Sequence, residues 1–163
     1  MRAAMQADNT HAELAQEGIF MDQTAKLLNC VAQNAQTGYQ AIEKLLAKTS
    51  DPAFRDELLR QRQDYHAIRQ DAESKLNAQG VQPEPKRPMD RVGAWMGMEM
   101  ATLTDKSNAH LADLVIQGAT MGVIETTKAR NECADASADA QGVASCFITQ
   151  QQDAIERMKG FLL

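Results

Sequence analysis

The chain has 163 residues, enough for one domain with a sizeable core and too few for two ordinary ones. A hydrophobic share of 44% with 24% charged residues excludes intrinsic disorder. Lys and Arg total 17 against 22 Asp and Glu, and the net charge of −5 is unsuited to wrapping nucleic acid or an anionic membrane.

Aromatic residues are only 4%, while Ala, Gln, Leu and Met are abundant, which predicts an all-α fold. Residues 1–21 lack a continuous apolar stripe and read as a loose arm or a short extra helix, with Met21 as an alternative start. The opening MRAAMQADNTHAEL has no apolar core of the secretory-signal kind, so a cytoplasmic protein is expected. The domain itself is expected over residues 22–163.

Helix A is predicted from the recurrence of Leu28, Val31, Ala35, Gly38, Ile42 and Leu45 at intervals of three and four. The uncharged run from Leu27 to Ile42 carries Asn29, Gln33, Asn34, Gln36 and Gln40, too polar for a membrane span. In KTSDPAF, Asp51 as N-cap and Pro52 as first helical residue mark the start of helix B. Its stripe runs through Phe54, Leu58, Gln61, Tyr65, Ile68, Ala72 and Leu76. The short turn between the two makes them antiparallel neighbours. Along helix B, Arg55, Arg60, Arg62 and Arg69 alternate with Asp56, Glu57, Asp64 and Asp71, the mixture of a solvated face.

Three of the four prolines fall in GVQPEPKRP, the one obvious connector. Its basic pair, Lys86 and Arg87, with Arg91, is balanced by Glu84 and Asp90 and forms no phosphate-tracking patch. Met89, Val92, Met96, Met100 and Leu103 then describe a short amphipathic helix. Met96 and Met100 share a face and Met98 does not, so packing with Trp95 explains AWMGMEM better than a thioether copper site. Thr104 and Asp105 are expected to cap helix C, with Leu111, Leu114, Gly118, Met121 and Glu125 on its inner face. After a break near Ala134–Asp135, helix D carries Ala140, Val143, Phe147, Gln150 or Gln151, Ala154, Met158 and Phe161.

Helix B, of about 29 residues at ~1.5 Å each, spans roughly 40 Å. The segment from Gly80 to Thr104 is long enough to travel back along it, so two antiparallel helix pairs joined by a long crossover with a short extra helix are expected. LLNCVAQNAQTGYQAIEKLL in helix A and TLTDKSNAHLADLVIQGATMGVIETTK in helix C resemble uncharacterised bacterial, clostridia-type four-helix-bundle proteins of the ferritin-like superfamily. The resemblance runs from Met21 to Leu163 and implies a ferritin-like four-helix bundle; it brings no assigned activity.

Di-iron members of that superfamily take a Glu from each of two helices and Glu-x-x-His from each of the other two. Here helix B offers Gln63-Asp64-Tyr65-His66 and helix D Gln150-Gln151-Gln152-Asp153, leaving His66 and Glu125 of six ligands. Neutral amides do not balance a metal's charge, so neither a cofactor nor an oxygen-activating centre is expected. Around His66, Gln33, Thr120 or Met121, and residues 148–151 lie at similar heights and read as a hydrogen-bonded layer that fixes helix register. His110, near the start of helix C, is offset from His66 by roughly 15 Å along parallel helices and reads as a boundary residue. Gly38 and Gly118 read as close helix contacts. Cys30, Cys133 and Cys146 form no Cys-x-x-Cys pair and are expected as buried thiols.

The function expected is that of a non-catalytic structural or interaction module, self-associating as a homodimer through the methionine-bearing helix. The alternative is a metal-binding or redox protein with a residual site around His66 and Glu125. A third reading, a binder of a small apolar ligand between Ala- and Gly-rich helices, requires a cavity.

Overall fold

The computed structural model describes residues 2–85 and 91–163, with side chains left out at 2–9, 11, 21, 91 and 92. Its elements are α1 (Arg2–Leu46), α2 (Pro52–Ala78), α3 (Arg91–Ala101), α4 (Asn108–Glu132) and α5 (Ala138–Lys159), with no strand among the described residues. No helix among them is long and apolar enough to cross a membrane. Met89 and the charged residues Lys86, Arg87 and Asp90 lie outside the described residues.

Helix α1 is continuous from Arg2, so the stretch before residue 22 prolongs helix A with no break between them. Every described side chain from 10 to 20 is exposed, and this part stands beyond the bundle. From Thr24 onward one face is buried, including Leu27, Leu28, Val31, Ala35, Ile42 and Leu45.

The α1–α2 turn is closed by side chains that meet the helix ends. Asp51 is extended (φ −65°, ψ 121°), and its carboxylate accepts the Phe54 N–H at 2.8 Å. Arg55 donates to the Leu46 and Thr49 carbonyls at 2.6 and 3.0 Å, oxygens that the end of α1 leaves without helical donors. Along α2 the buried residues are Phe54, Leu58, Gln61, Tyr65, Ile68, Ala72 and Leu76, the expected stripe, together with Glu57. Gly80, at φ +73°, ends α2: its N–H reaches the Asn77 carbonyl and that of Val81 the Leu76 carbonyl, both at 3.0 Å.

Helix α4 begins later than expected. Its N-cap is Ser107, whose Oγ accepts the His110 N–H at 3.3 Å. Asp105 serves that cap by accepting the Ser107 N–H at 2.8 Å, and Thr104 takes no part in it. The buried face is Leu111, Ala112, Leu114, Val115, Ala119, Gly122 and Thr126. Met121 and Glu125 are half-buried beside it. Ser137 caps α5 through the Ala140 N–H at 3.1 Å, and Gln151, not Gln150, faces inward.

Cross-helix bonds fix the directions. The start of the buried part of α1 meets the α4–α5 turn, where Thr24 accepts the Ser137 N–H at 2.8 Å and Gln23 the Asp135 N–H at 2.9 Å. Asn34 donates to Thr126 at 3.0 Å and Thr49 to Asn108 at 3.3 Å, so α1 and α4 run antiparallel. Arg157 reaches Glu57, Tyr65 reaches Gln151 and Lys75 reaches Asp139, so α2 and α5 are antiparallel as well. The chain therefore forms two antiparallel pairs, and it returns along the bundle's length between α2 and α4. Helix α3, on that return, rests on α1 and α4. One continuous apolar core joins α1, α2, α4 and α5 and extends to Trp95 and Met100 of α3. Each fully buried Leu or Phe in it contributes about 1.5–3 kcal/mol. Phe161, just past α5, closes one end edge-on against Phe54, with centroids 5.0 Å apart.

Candidate functional site

The expected polar layer is present in part, with a different membership. Tyr65 is on the buried stripe of α2, and its hydroxyl donates to Gln151 Oε1 at 2.5 Å across to α5. Burial pushes its phenol well above the ordinary range, so the group is a fixed donor at neutral pH. The Tyr65 and Phe147 rings, 6.3 Å apart, occupy the middle of the bundle. Tyr65 reaches α1 at Gly38, where a Cβ would overlap its ring, with Cδ1 only 2.8 Å away. Gly38 is therefore the close contact that the sequence suggests.

Gly118 is not. A Cβ there would meet Met96 Cε at 3.4 Å and Trp95 Cζ3 at 3.5 Å, both on the short α3, in ordinary van der Waals contact. Gly122, one turn on, has equal room, with Phe147 ring atoms at 3.6 Å. The space these glycines leave is a cavity of about 30 Å³ between α1, α4 and Tyr65, bordered by Met96. Met96 is buried, Met100 half-buried, and Met98 exposed, as their spacing implies.

A second polar cluster lies between α2 and α5 and corrects the expectation that Glu57 belongs to a solvated face of helix B, since its side chain is buried. The buried Glu57 carboxylate accepts Arg157 Nε at 2.8 Å and Gln61 Nε2 at 2.9 Å, and Arg60 approaches at 3.8 Å. Asp64 lies 4.0 Å from Arg157. Partial burial raises the Asp64 pKa, with Glu57 adding to the shift, while Arg157 and Arg60 pull it back. The available signal was Glu57 and Gln61, four residues apart at the edge of the buried stripe.

The residues of the alternative metal reading are not brought together. His66 is exposed on α2, its ring tilted against Tyr39 at 6.2 Å. Glu125 lines a groove of about 1010 Å³ between α1 and α4, where Lys26, Lys128 and Glu132 mix the charge. Gln33 lines the same groove, its Nε2 buried with no hydrogen-bond partner among the described residues. Thr120 is exposed and bonds back to the Ile116 carbonyl at 2.7 Å. His110 is half-buried in the first turn of α4, the boundary position expected of it. Among the described residues, no three His, Cys, Asp or Glu side chains are placed to share a metal ion.

None of the three cysteines is in a disulfide, but only Cys133 is buried; Cys30 is half-buried and Cys146 exposed. Cys146 faces outward because the inward positions of its turn of α5 are Val143, Ala144 and Phe147. Burial raises the Cys133 pKa, with nearby Lys26 opposing, which holds the sulfur as a thiol.

The chain is similar in fold to a protein of solved structure. That protein is a conserved hypothetical protein, rv2844, from Mycobacterium tuberculosis. The two share 20% identity over 85% of this chain and 95% of that one, with a TM-score of 0.62. At that identity the likeness is one of fold alone. No protein-family model matches the chain, and no curated protein does.

Proposed function

We propose that the chain is a ferritin-like bundle acting as a non-catalytic structural or interaction module, cytoplasmic and homodimeric, with no resident cofactor. The observation that carries this reading is the filling of the mid-bundle. Where a di-iron protein places carboxylates and histidines, Tyr65 and Phe147 place rings, and the Tyr65 hydroxyl is taken by Gln151. Such a pair selects one helix register over its competitors.

Self-association is supported by the first part of α1, which exposes Leu14, Ile19 and Phe20 at 59%, 57% and 44%. About 20 helical residues standing clear of a bundle are marginal in water. Two copies of the same helix can cover one another's apolar residues symmetrically. The methionine-bearing α3 adds exposed Met98 as a second apolar position.

Two measurements test the proposal. Light scattering on the eluted full chain should give twice the 17.9 kDa chain mass, falling to the chain mass in Leu14→Asp/Phe20→Asp. A monomer at micromolar concentration overturns the dimer. Anaerobic titration with ferrous iron and with zinc should show no stoichiometric uptake. Uptake that disappears in both His66→Ala and Glu125→Ala overturns the non-catalytic reading in favour of the residual metal site.

A further inference from the structure

We propose that the cavity beneath α3 is a binding site for a small apolar molecule, up to one ring in size and bearing a single hydrogen-bonding group, with Met96 as its plug. The inference goes beyond the structural role and does not depend on the oligomeric state.

It starts from two glycines that packing does not require. Gly38 has to be glycine, because a side chain would run into the Tyr65 ring. Gly118 and Gly122 are also inside a helix, where glycine is unfavourable relative to alanine, yet a methyl group at either would make only ordinary contacts. What alanine would remove at these positions is the open space itself. Both line the cavity, along with Ala41 and Ala119.

The walls suit one kind of occupant. Ile42, Leu45, Val115 and Phe147 supply apolar surface, and the polar groups at the wall include the Tyr65–Gln151 pair. With the Tyr65 proton committed to Gln151 Oε1, the Gln151 amide keeps its N–H donors for one acceptor on the ligand. At about 30 Å³ the cavity has room for little more than a water. An apolar cavity of about 150 Å³ is the size that accepts benzene. A ring therefore enters only when Met96 leaves. Met96 is suited to that: its thioether chain is flexible, its tip lies over Gly118, and it sits on an 11-residue helix that rests on α1 and α4.

The test is a titration of the full chain with benzene and with phenol, followed by amide chemical shifts at Gly38, Gly118 and Gly122. Saturable shifts are expected, with phenol the tighter probe. Met96→Ala should tighten both at least tenfold by removing the plug. Gly122→Ala, which fills the cavity and keeps the fold, should weaken both at least tenfold. The proposal is overturned if neither the wild-type chain nor Met96→Ala binds either probe saturably, or if Gly122→Ala binds as the wild type does. Phenol binding no more tightly than benzene overturns the assignment of Gln151 as the polar contact.

Discussion

The same substitution should have opposite signs at two helix-interior glycines. At Gly122, alanine gains about 1 kcal/mol of helix propensity and its Cβ meets Phe147 at an ordinary 3.6 Å. At Gly38 the propensity gain is equal, but the Cβ falls inside the Tyr65 ring. The ring is in the core, only 6% exposed, and the cavity of about 30 Å³ beside it is too small to take the displaced ring. Overpacking of this kind costs about 1–3 kcal/mol. Displacing the ring also pulls the hydroxyl from Gln151, itself 3% exposed, and a buried polar group left without its partner costs about 1–3 kcal/mol more. The net expectation is a loss of about 3 kcal/mol for Gly38→Ala against a gain of about 1 kcal/mol for Gly122→Ala. Urea unfolding followed by far-ultraviolet circular dichroism measures both. With a slope of about 2 kcal/mol per molar, the midpoints should separate by about 2 M. The Tyr65→Ala background should remove most of the Gly38→Ala penalty, since the clash and the hydrogen bond go together. If the two alanines shift the midpoint in the same direction, the Tyr65 ring is not seated on α1, and the account of the mid-bundle fails.

Three further outcomes are expected. Tyr65→Phe should lower stability by about 1–2 kcal/mol in the same unfolding assay, and Gln151→Leu in that background should recover part of it, because no buried amide is then left unsatisfied. Asp51→Ala should cost about 1 kcal/mol, while Asp51→Asn should cost much less, because the cap needs an oxygen to accept the Phe54 N–H and not a charge. The third concerns pH. The Asp64 pKa is raised in the folded chain, so folding takes up a proton there and stability falls as pH rises through the folded pKa. Asp64→Asn should therefore raise the urea midpoint at pH 7 relative to the parent and leave it nearly unchanged at pH 3. A fall at pH 7 would mean that the attraction of Arg157 outweighs desolvation at this site.

Legibility of the fold from the sequence varied with how distinct the two sides of each helix are. In α2 most outward positions are charged or polar, and Asp51–Pro52 fixes where counting begins, so the apolar part of the buried stripe reads off directly, while buried Glu57 does not. Helix α4 is rich in Ala, Gly and Thr on more than one side. Small residues carry little transfer free energy, so the apolar signal shifted toward Met121 when packing in fact follows Ala119, Gly122 and Thr126. Thr104 and Asp105 were read as the caps of helix C, and only the local fold shows that Asp105 supports Ser107 instead of starting the helix. Residues 2–21 form helix without a stripe, which propensity allows and periodicity does not detect. At the site, Tyr65 was visible as a stripe residue. Its partner lies 86 positions away, and Arg157 lies 100 from Glu57, and single-sequence spacing carries no information at that range. The cavity was equally hidden, because a glycine that avoids a clash and a glycine that leaves room are the same letter.

The return of the chain between α2 and α4 has a consequence for how the molecule could be taken apart. Each helix pair closes on itself through a turn of five residues, 47–51 and 133–137, so neither pair needs the other to bring its own helices together. The crossover then acts as a tether, holding the two hairpins at an effective concentration on the order of millimolar. A nick within it would leave the α1 contacts to α4 and α5 and the α2 contacts to α5 intact, and would convert one folding unit into two fragments in a concentration-dependent equilibrium. The cohesion of the bundle could then be read as an ordinary dissociation constant between its halves.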